Sequence, residues 1–233
     1  MTDTAKLFDR LKQIKYPQTM IGVQGELSGR AFFPAGRGTF DNDESIEDKN
    51  IMILGQDFDC ETNYANTLKI GHEDIVKNHT WRNLLAFLKD VEGIEYNQCF
   101  YTNAILGIRV GDKGTGKSPA FKDEGYIKEC KKFFLYQVEV QKPKAILVLG
   151  KYVAEFIAPL SVDLNCWEQI NSYEELDKTG KQIVKNAVFE NGIKSNLVLL
   201  THPSFRHSNI HRRKYLELGG HSAEVKMVLD TLT

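Results

Sequence analysis

Four short, largely apolar runs limit how this chain can fold: residues 51–54, 99–105, 145–149 and 197–201. Each is too brief to bury one face of a helix, and none alternates apolar with polar residues. Runs of this kind make strands covered on both faces, as in a parallel sheet. The segments between them carry helical spacing. Leu7, Phe8, Leu11 and Ile14 open the chain with such a pattern. Thr80 is placed to cap a helix carrying Trp81, Leu84, Leu85 and Leu88, with Gly93 as its stop. Asp123 precedes Tyr126, Ile127, Cys130, Phe133, Phe134 and Val138. Val153, Phe156 and Ile157 follow Gly150, and Val225, Val228, Leu229 and Leu232 form the last stripe. Strands alternating with helices predict an α/β domain with a largely parallel sheet. Residues 22–49 read as a glycine-punctuated loop and residues 167–192 as a turn-rich insertion. With no internal repeat, one domain over residues 1–233 is expected.

Composition narrows the function classes. No apolar run approaches the roughly 18 residues of a membrane span, and the N-terminal stretch lacks a signal-peptide core. A cytoplasmic monomer is expected. Cys60, Cys99, Cys130 and Cys166 are each more than thirty residues from the next, so no ribbon-type zinc or iron–sulfur spacing exists. His202, His207 and His211 have no acidic or cysteine partner nearby in sequence, so neither a metal nor a cofactor is expected. The net charge is only -1, but it is unevenly spread. Residues 41–48 hold five acids, whereas residues 206–214 hold four fixed positive charges, two histidines and no acid. One basic face suits a polyanion.

In an open parallel sheet the ligand site lies beyond the carboxyl ends of the strands. Reading past each run gives Gly55-Gln56-Asp57-Phe58-Asp59, then Thr102-Asn103 with Gly107 and Arg109, then Gly150-Lys151, then His202-Pro203-Ser204. A carboxylate, an amide and an imidazole would therefore converge from three strands. Those groups can polarise water, read a planar amide-like ligand and stabilise a leaving anion.

IMILGQDFD, CFYTNAILGIRV, KAILVLG and LVLLTHPS, in this order, resemble the motif series of the uracil-DNA glycosylase superfamily. The resemblance implies a three-layer α/β/α sandwich around a four-stranded parallel sheet. It also implies hydrolysis of the N-glycosidic bond of uracil or another deaminated base during base excision repair. By resemblance, Asp57 positions water, Asn103 reads the base and His202 stabilises the leaving base, with Gln56 and Phe58 beside them. An amide with one donor and one acceptor complements O4 and N3–H of uracil and mismatches cytosine. Everting a base costs a few kcal/mol and calls for phosphate contacts and a wedge. Lys113, Lys117, Ser204, Arg206, Arg212 and Arg213 are candidates for the first, and Phe205 or Ile210 for the second. This chain departs from the family where Phe58-Asp59 replaces the usual proline-tyrosine. Leu68-Lys69-Ile70 also stands where a stacking aromatic is usual, leaving Tyr64 as the substitute.

Two other readings compete. A member of the same fold could bind nucleic acid without catalysis. Residues 111–118 also satisfy the phosphate-loop pattern GxxxxGK[ST], which would make the chain a nucleotide hydrolase. Against the latter, Pro119 removes an N–H where phosphate would be cradled, and no later strand ends in a magnesium-binding acid.

Overall fold

The structure is a computed structural model that describes residues 3–23, 32–33, 50–70 and 78–233. The acidic run at 41–48 and most of the expected loop at 22–49 lie outside the described residues. In chain order the main elements are α1 (Asp3–Leu11), β1 (Met20–Gly22), β2 (Ile51–Gly55), α2 (Glu61–Ile70), α3 (His79–Lys89), β3 (Cys99–Asn103) and β4 (Gly107–Arg109). They continue with α4 (Glu124–Gln141), β5 (Ala145–Leu149), α5 (Lys151–Ile157), α6 (Tyr173–Lys178), β6 (Ile183–Val188) and β7 (Lys194–Leu200). The last are α7 (Arg206–Asn209), a small β8–β9 hairpin (Lys214–Tyr215 with Leu218–Gly219) and α8 (Gly220–Leu232).

The central sheet has five strands in the order β3-β2-β5-β7-β6. The four runs expected as strands are parallel neighbours, and β6 adds an antiparallel edge. The four-stranded expectation is thus corrected to five, and the supposed insertion at 167–192 supplies both the extra strand and α6. Lys185, Asn186 and Val188 of β6 face solvent, which hides the strand from a search for apolar runs. The thread of α2 was missed for a similar reason: ETNYANTLKI has no continuous apolar stripe.

Alternation along the buried strands builds two cores, one on each face. Met52, Leu54, Phe100, Ile146, Val148, Leu197 and Leu199 pack with residues of α1, α4 and α5. Ile53, Tyr101, Leu147, Leu149, Val198 and Leu200 pack with Trp81, Leu84, Phe87 and Leu88 of α3 and Ala223, Met227 and Val228 of α8. Helices thus cover both faces, giving the α/β/α sandwich. The α3 cap is Asn78, not Thr80: the Asn78 side chain accepts from the Thr80 N–H at 2.9 Å. Asp123 caps α4 through the Tyr126 N–H at 2.8 Å. Among the described residues, no helix is long and apolar enough to cross a membrane.

Candidate active site

A cleft of about 1020 Å³ opens at the carboxyl ends of the parallel strands. Asp57 follows β2, Asn103 ends β3, Gly150 follows β5 and His202 follows β7, and all four line it. The in-register pairing of Gly55 with Asn103 brings the first two motifs together. A Cβ at position 55 would stand 2.3 Å from the Asn103 Oδ1, so only glycine lets the amide lie across the end of β2. Asn103 is buried, and among the described residues its amide takes no hydrogen bond. A buried amide without a partner is costly, so its donor and acceptor are available to a ligand.

Asp57 is held by Arg109. The guanidinium Nε donates to Oδ2 at 2.6 Å and Nη2 to Oδ1 at 3.3 Å, with the two side chains only 5% and 4% exposed. The Asp59 N–H adds a third donor to Oδ1 at 3.2 Å. Burial pushes the Asp57 carboxyl up, while the charge and hydrogen bonds of Arg109 pull against that rise. Arg109 spends its remaining N–H groups on the carbonyls of Lys113, Thr115 and Gly116, at 3.5, 3.1 and 3.1 Å. All five guanidinium donors are engaged. One buried arginine therefore fixes both the carboxylate and the glycine-rich loop.

That geometry corrects the phosphate-loop reading. The loop follows β4, a three-residue strand paired with β1 outside the central sheet, and it runs into a 3₁₀ turn at Pro119–Lys122. Three of its carbonyls turn toward Arg109 instead of leaving N–H groups to cradle an anion. Lys117, expected at DNA phosphates, pairs with Glu155 at 2.7 Å and lies 4.8 Å from the Phe121 ring centroid, with its side chain still exposed.

His202 is half-buried. Its Nδ1 accepts the Ser204 N–H at 3.3 Å, which leaves the neutral ring's proton on Nε2. Burial first, then the charge of Arg109, pushes the imidazole down to about 4, while Asp59 acts the other way. The folded ring therefore stays neutral where an unfolded one, at about 6.5, has taken a proton. The contribution of this ring to stability is full above pH 6.5 and is lost as pH drops toward 4, by about 3 kcal/mol. Urea unfolding at pH 7 and pH 4.5 should show most of this loss in the parent protein and little of it in His202→Gln.

The rest of the inventory divides. Gln56, Phe58, Asp59, Tyr64, Lys113, Ser204, Phe205 and Arg212 line the cleft. Gln56 donates from Nε2 to the Gly116 carbonyl at 3.1 Å, so it braces the same loop. Ser204 meets the Thr80 hydroxyl at 2.5 Å, and Asn83 donates to the Pro203 carbonyl at 2.9 Å. These bonds tie the histidine turn to α3. Phe205 is 44% exposed on the rim, its ring centroid 6.0 Å from that of His202.

Arg206 and Arg213 are corrected as phosphate contacts. Arg213 is fully buried: Asp177 takes two bonds at 3.0 Å, Glu224 one at 3.1 Å and the Leu199 carbonyl one at 2.9 Å. Arg206 pairs with Glu224 and packs over Phe87, 4.3 Å from the ring centroid. Glu224, also fully buried, accepts the Thr201 N–H at 2.7 Å. Two positive and two negative charges thus join α6, α8 and the end of β7, and set where His202 emerges.

The sequence does not point to Phe32 or to the role of Arg109. Phe32 lines the cleft beside Gly55, its ring 5.0 Å from Trp81 and 5.6 Å from Tyr101 by centroids. Nothing in its loop sequence marks it. Arg109 was visible after the second strand, but its pairing with a residue 52 positions away was not. Among the described residues, no group of three or more His, Cys, Asp or Glu is placed to hold a metal ion.

No individual curated protein matches this chain at a significant level. The family described as the uracil DNA glycosylase superfamily matches residues 42–218, well over half of the chain and the span holding all four strand ends. The chain belongs to the uracil DNA glycosylase superfamily.

Proposed function

We propose that the protein is a DNA glycosylase that hydrolyses the N-glycosidic bond of uracil or another deaminated base in base excision repair. The observation that carries this reading is the shared cleft: a buried amide with no partner among the described residues, a neutral imidazole and an acidic turn at one end of one sheet. An everted base enters with its edge against Asn103, whose amide supplies one donor and one acceptor, and its face against Phe32. As the bond to the sugar breaks, negative charge grows on the base. The Nε2–H of His202 donates to it from a neutral ring, so no proton need be lost or gained for the hydrogen bond to form. The acidic turn at Asp57–Asp59 faces the sugar, where positive charge develops.

Phe205 is suited to fill the gap left in the duplex, since it is exposed and adjacent to His202. Lys113 and Arg212 are exposed at the same cleft and reach for phosphates. Of the basic run at 206–214, only part is available for that purpose, because Arg206 and Arg213 are committed inside the fold.

Oligonucleotides carrying uracil, hypoxanthine or xanthine, single- and double-stranded, test the proposal. Incubation with the protein should leave alkali-labile sites on at least one of them. His202→Ala should slow their formation by about 10²-fold or more, the scale of a lost group that stabilises leaving charge. Salt-sensitive binding with every base retained would instead favour a binding-only member of the fold.

A further inference from the structure

Resting on the glycosylase reading, we propose that Asp59, not Asp57, is the carboxylate that takes the proton of the attacking water, with Asp57 as its positioning partner. Both oxygens of Asp57 are already engaged by protein donors: Arg109 Nε on Oδ2, and Arg109 Nη2 and the Asp59 N–H on Oδ1. A carboxylate offers about four acceptor positions, and three are filled here by fixed groups. Its charge is matched by a bidentate guanidinium inside the protein. With those positions filled, Asp57 has little room left to accept a water that must lose a proton, even though burial raises its carboxyl.

Asp59 differs on each count. Its Oδ1 accepts from the Cys60 N–H at 2.7 Å and the Asn63 amide at 3.1 Å. Among the described residues Oδ2 takes no hydrogen bond, and no cation pairs with the side chain. The side chain lines the cleft, and its charge acts on His202, which places both groups on one space. The backbone there is left-handed, with φ +67°, a conformation that costs an aspartate about 1 kcal/mol or more. Two bonds hold it: the Asp59 N–H to Asp57, and the Arg109 N–H to the Asp59 carbonyl at 2.9 Å. Gly114 completes the seat, since a Cβ there would stand 1.9 Å from the Asp59 Oδ1. Arg109, Asp57 and the loop thus serve to aim the Asp59 Oδ2, which takes no hydrogen bond among the described residues.

In the step this geometry supports, the water oxygen bonds to C1′ of the sugar while the C1′–N bond breaks. The bonding pair departs with the base, which receives the hydrogen bond of His202. The water proton passes to Asp59 Oδ2 and then to solvent, from which the base regains a proton.

Single-turnover base release from a deaminated-base oligonucleotide by the full chain provides the test, with Asp59→Asn, Asp59→Gly and Asp57→Ala compared at constant ionic strength. Asparagine and glycine both tolerate the left-handed backbone, so the first two variants should melt near the parent. Asp59→Asn should be slower by about 10²-fold or more, the contribution of a positioned base. Added formate should restore about tenfold or more of the Asp59→Gly rate, and should leave Asp57→Ala unchanged. An Asp59→Asn rate within about threefold of the parent, or formate rescue of Asp57→Ala instead, would overturn the assignment while leaving the glycosylase reading intact. A folded parent inactive on every base would overturn the reading itself, and the assignment with it.

Discussion

Arg213→Met is expected to lower unfolding stability by about 3–5 kcal/mol, or roughly 6–20 °C in melting temperature for a chain of this size. The substitution preserves apolar bulk but removes the only positive charge bonded to Asp177 among the described residues, and one of two bonded to Glu224. Two buried carboxylates would then be short of a partner. Thermal melts give the size of the effect. Because Arg213 does not reach the surface, its loss should not reduce the slope of DNA affinity against salt in protein that remains folded. Arg212→Ala, on the exposed neighbour, should reduce that slope by about one counterion and hardly move the melt. A normal melt with a reduced slope for Arg213→Met would contradict the buried ion network.

Arg109→Leu should be nearly as disruptive, for a separate reason. Asp57 would keep its buried position and lose both charge-assisted bonds, at a cost of about 3–5 kcal/mol. Three carbonyls of the loop at 113–116 would lose their donor at the same time. Base release should fall with stability, since the same side chain aims the acidic turn and shapes one wall of the cleft. Arg109→Lys separates the two consequences. A lysine keeps the charge beside Asp57, but three donors on one ammonium do not reproduce a planar five-donor fork. It should therefore recover much of the melting temperature and less of the rate. Melting curves and single-turnover rates on one protein preparation check both outcomes. A lysine variant with parental rate would show that the loop needs no anchor.

How much of this was legible in the sequence depends on how local each signal is. Apolar runs at 51–54, 145–149 and 197–201 declare buried strands because both faces of a parallel sheet are covered, and β2, β5 and β7 lie there. β6 pairs at the edge with exposed residues, so its letters resemble a loop's. The convergence of Asp57, Asn103 and His202 was readable because parallel strands end on one side by construction. Arg212 and Arg213 look alike as letters, yet one lies in solvent and the other in the core. Only the long-range partners Asp177 and Glu224 distinguish them. The same holds for the glycine-rich loop. Its pattern fits phosphate binding, but the side chain that organises it, Arg109, turns its carbonyls inward. Phe32 came without any spacing signal, because its place in the cleft depends on contacts with Trp81 and Tyr101 across the fold.

Mass spectrometry of the oligonucleotide before and after incubation tests the central claim most directly. The account predicts that one strand loses its deaminated base and gains the elements of water, that the free base appears in equal amount, and that Asn103→Leu abolishes both changes. An unchanged mass for every substrate, with the protein folded and bound to the DNA, would contradict it.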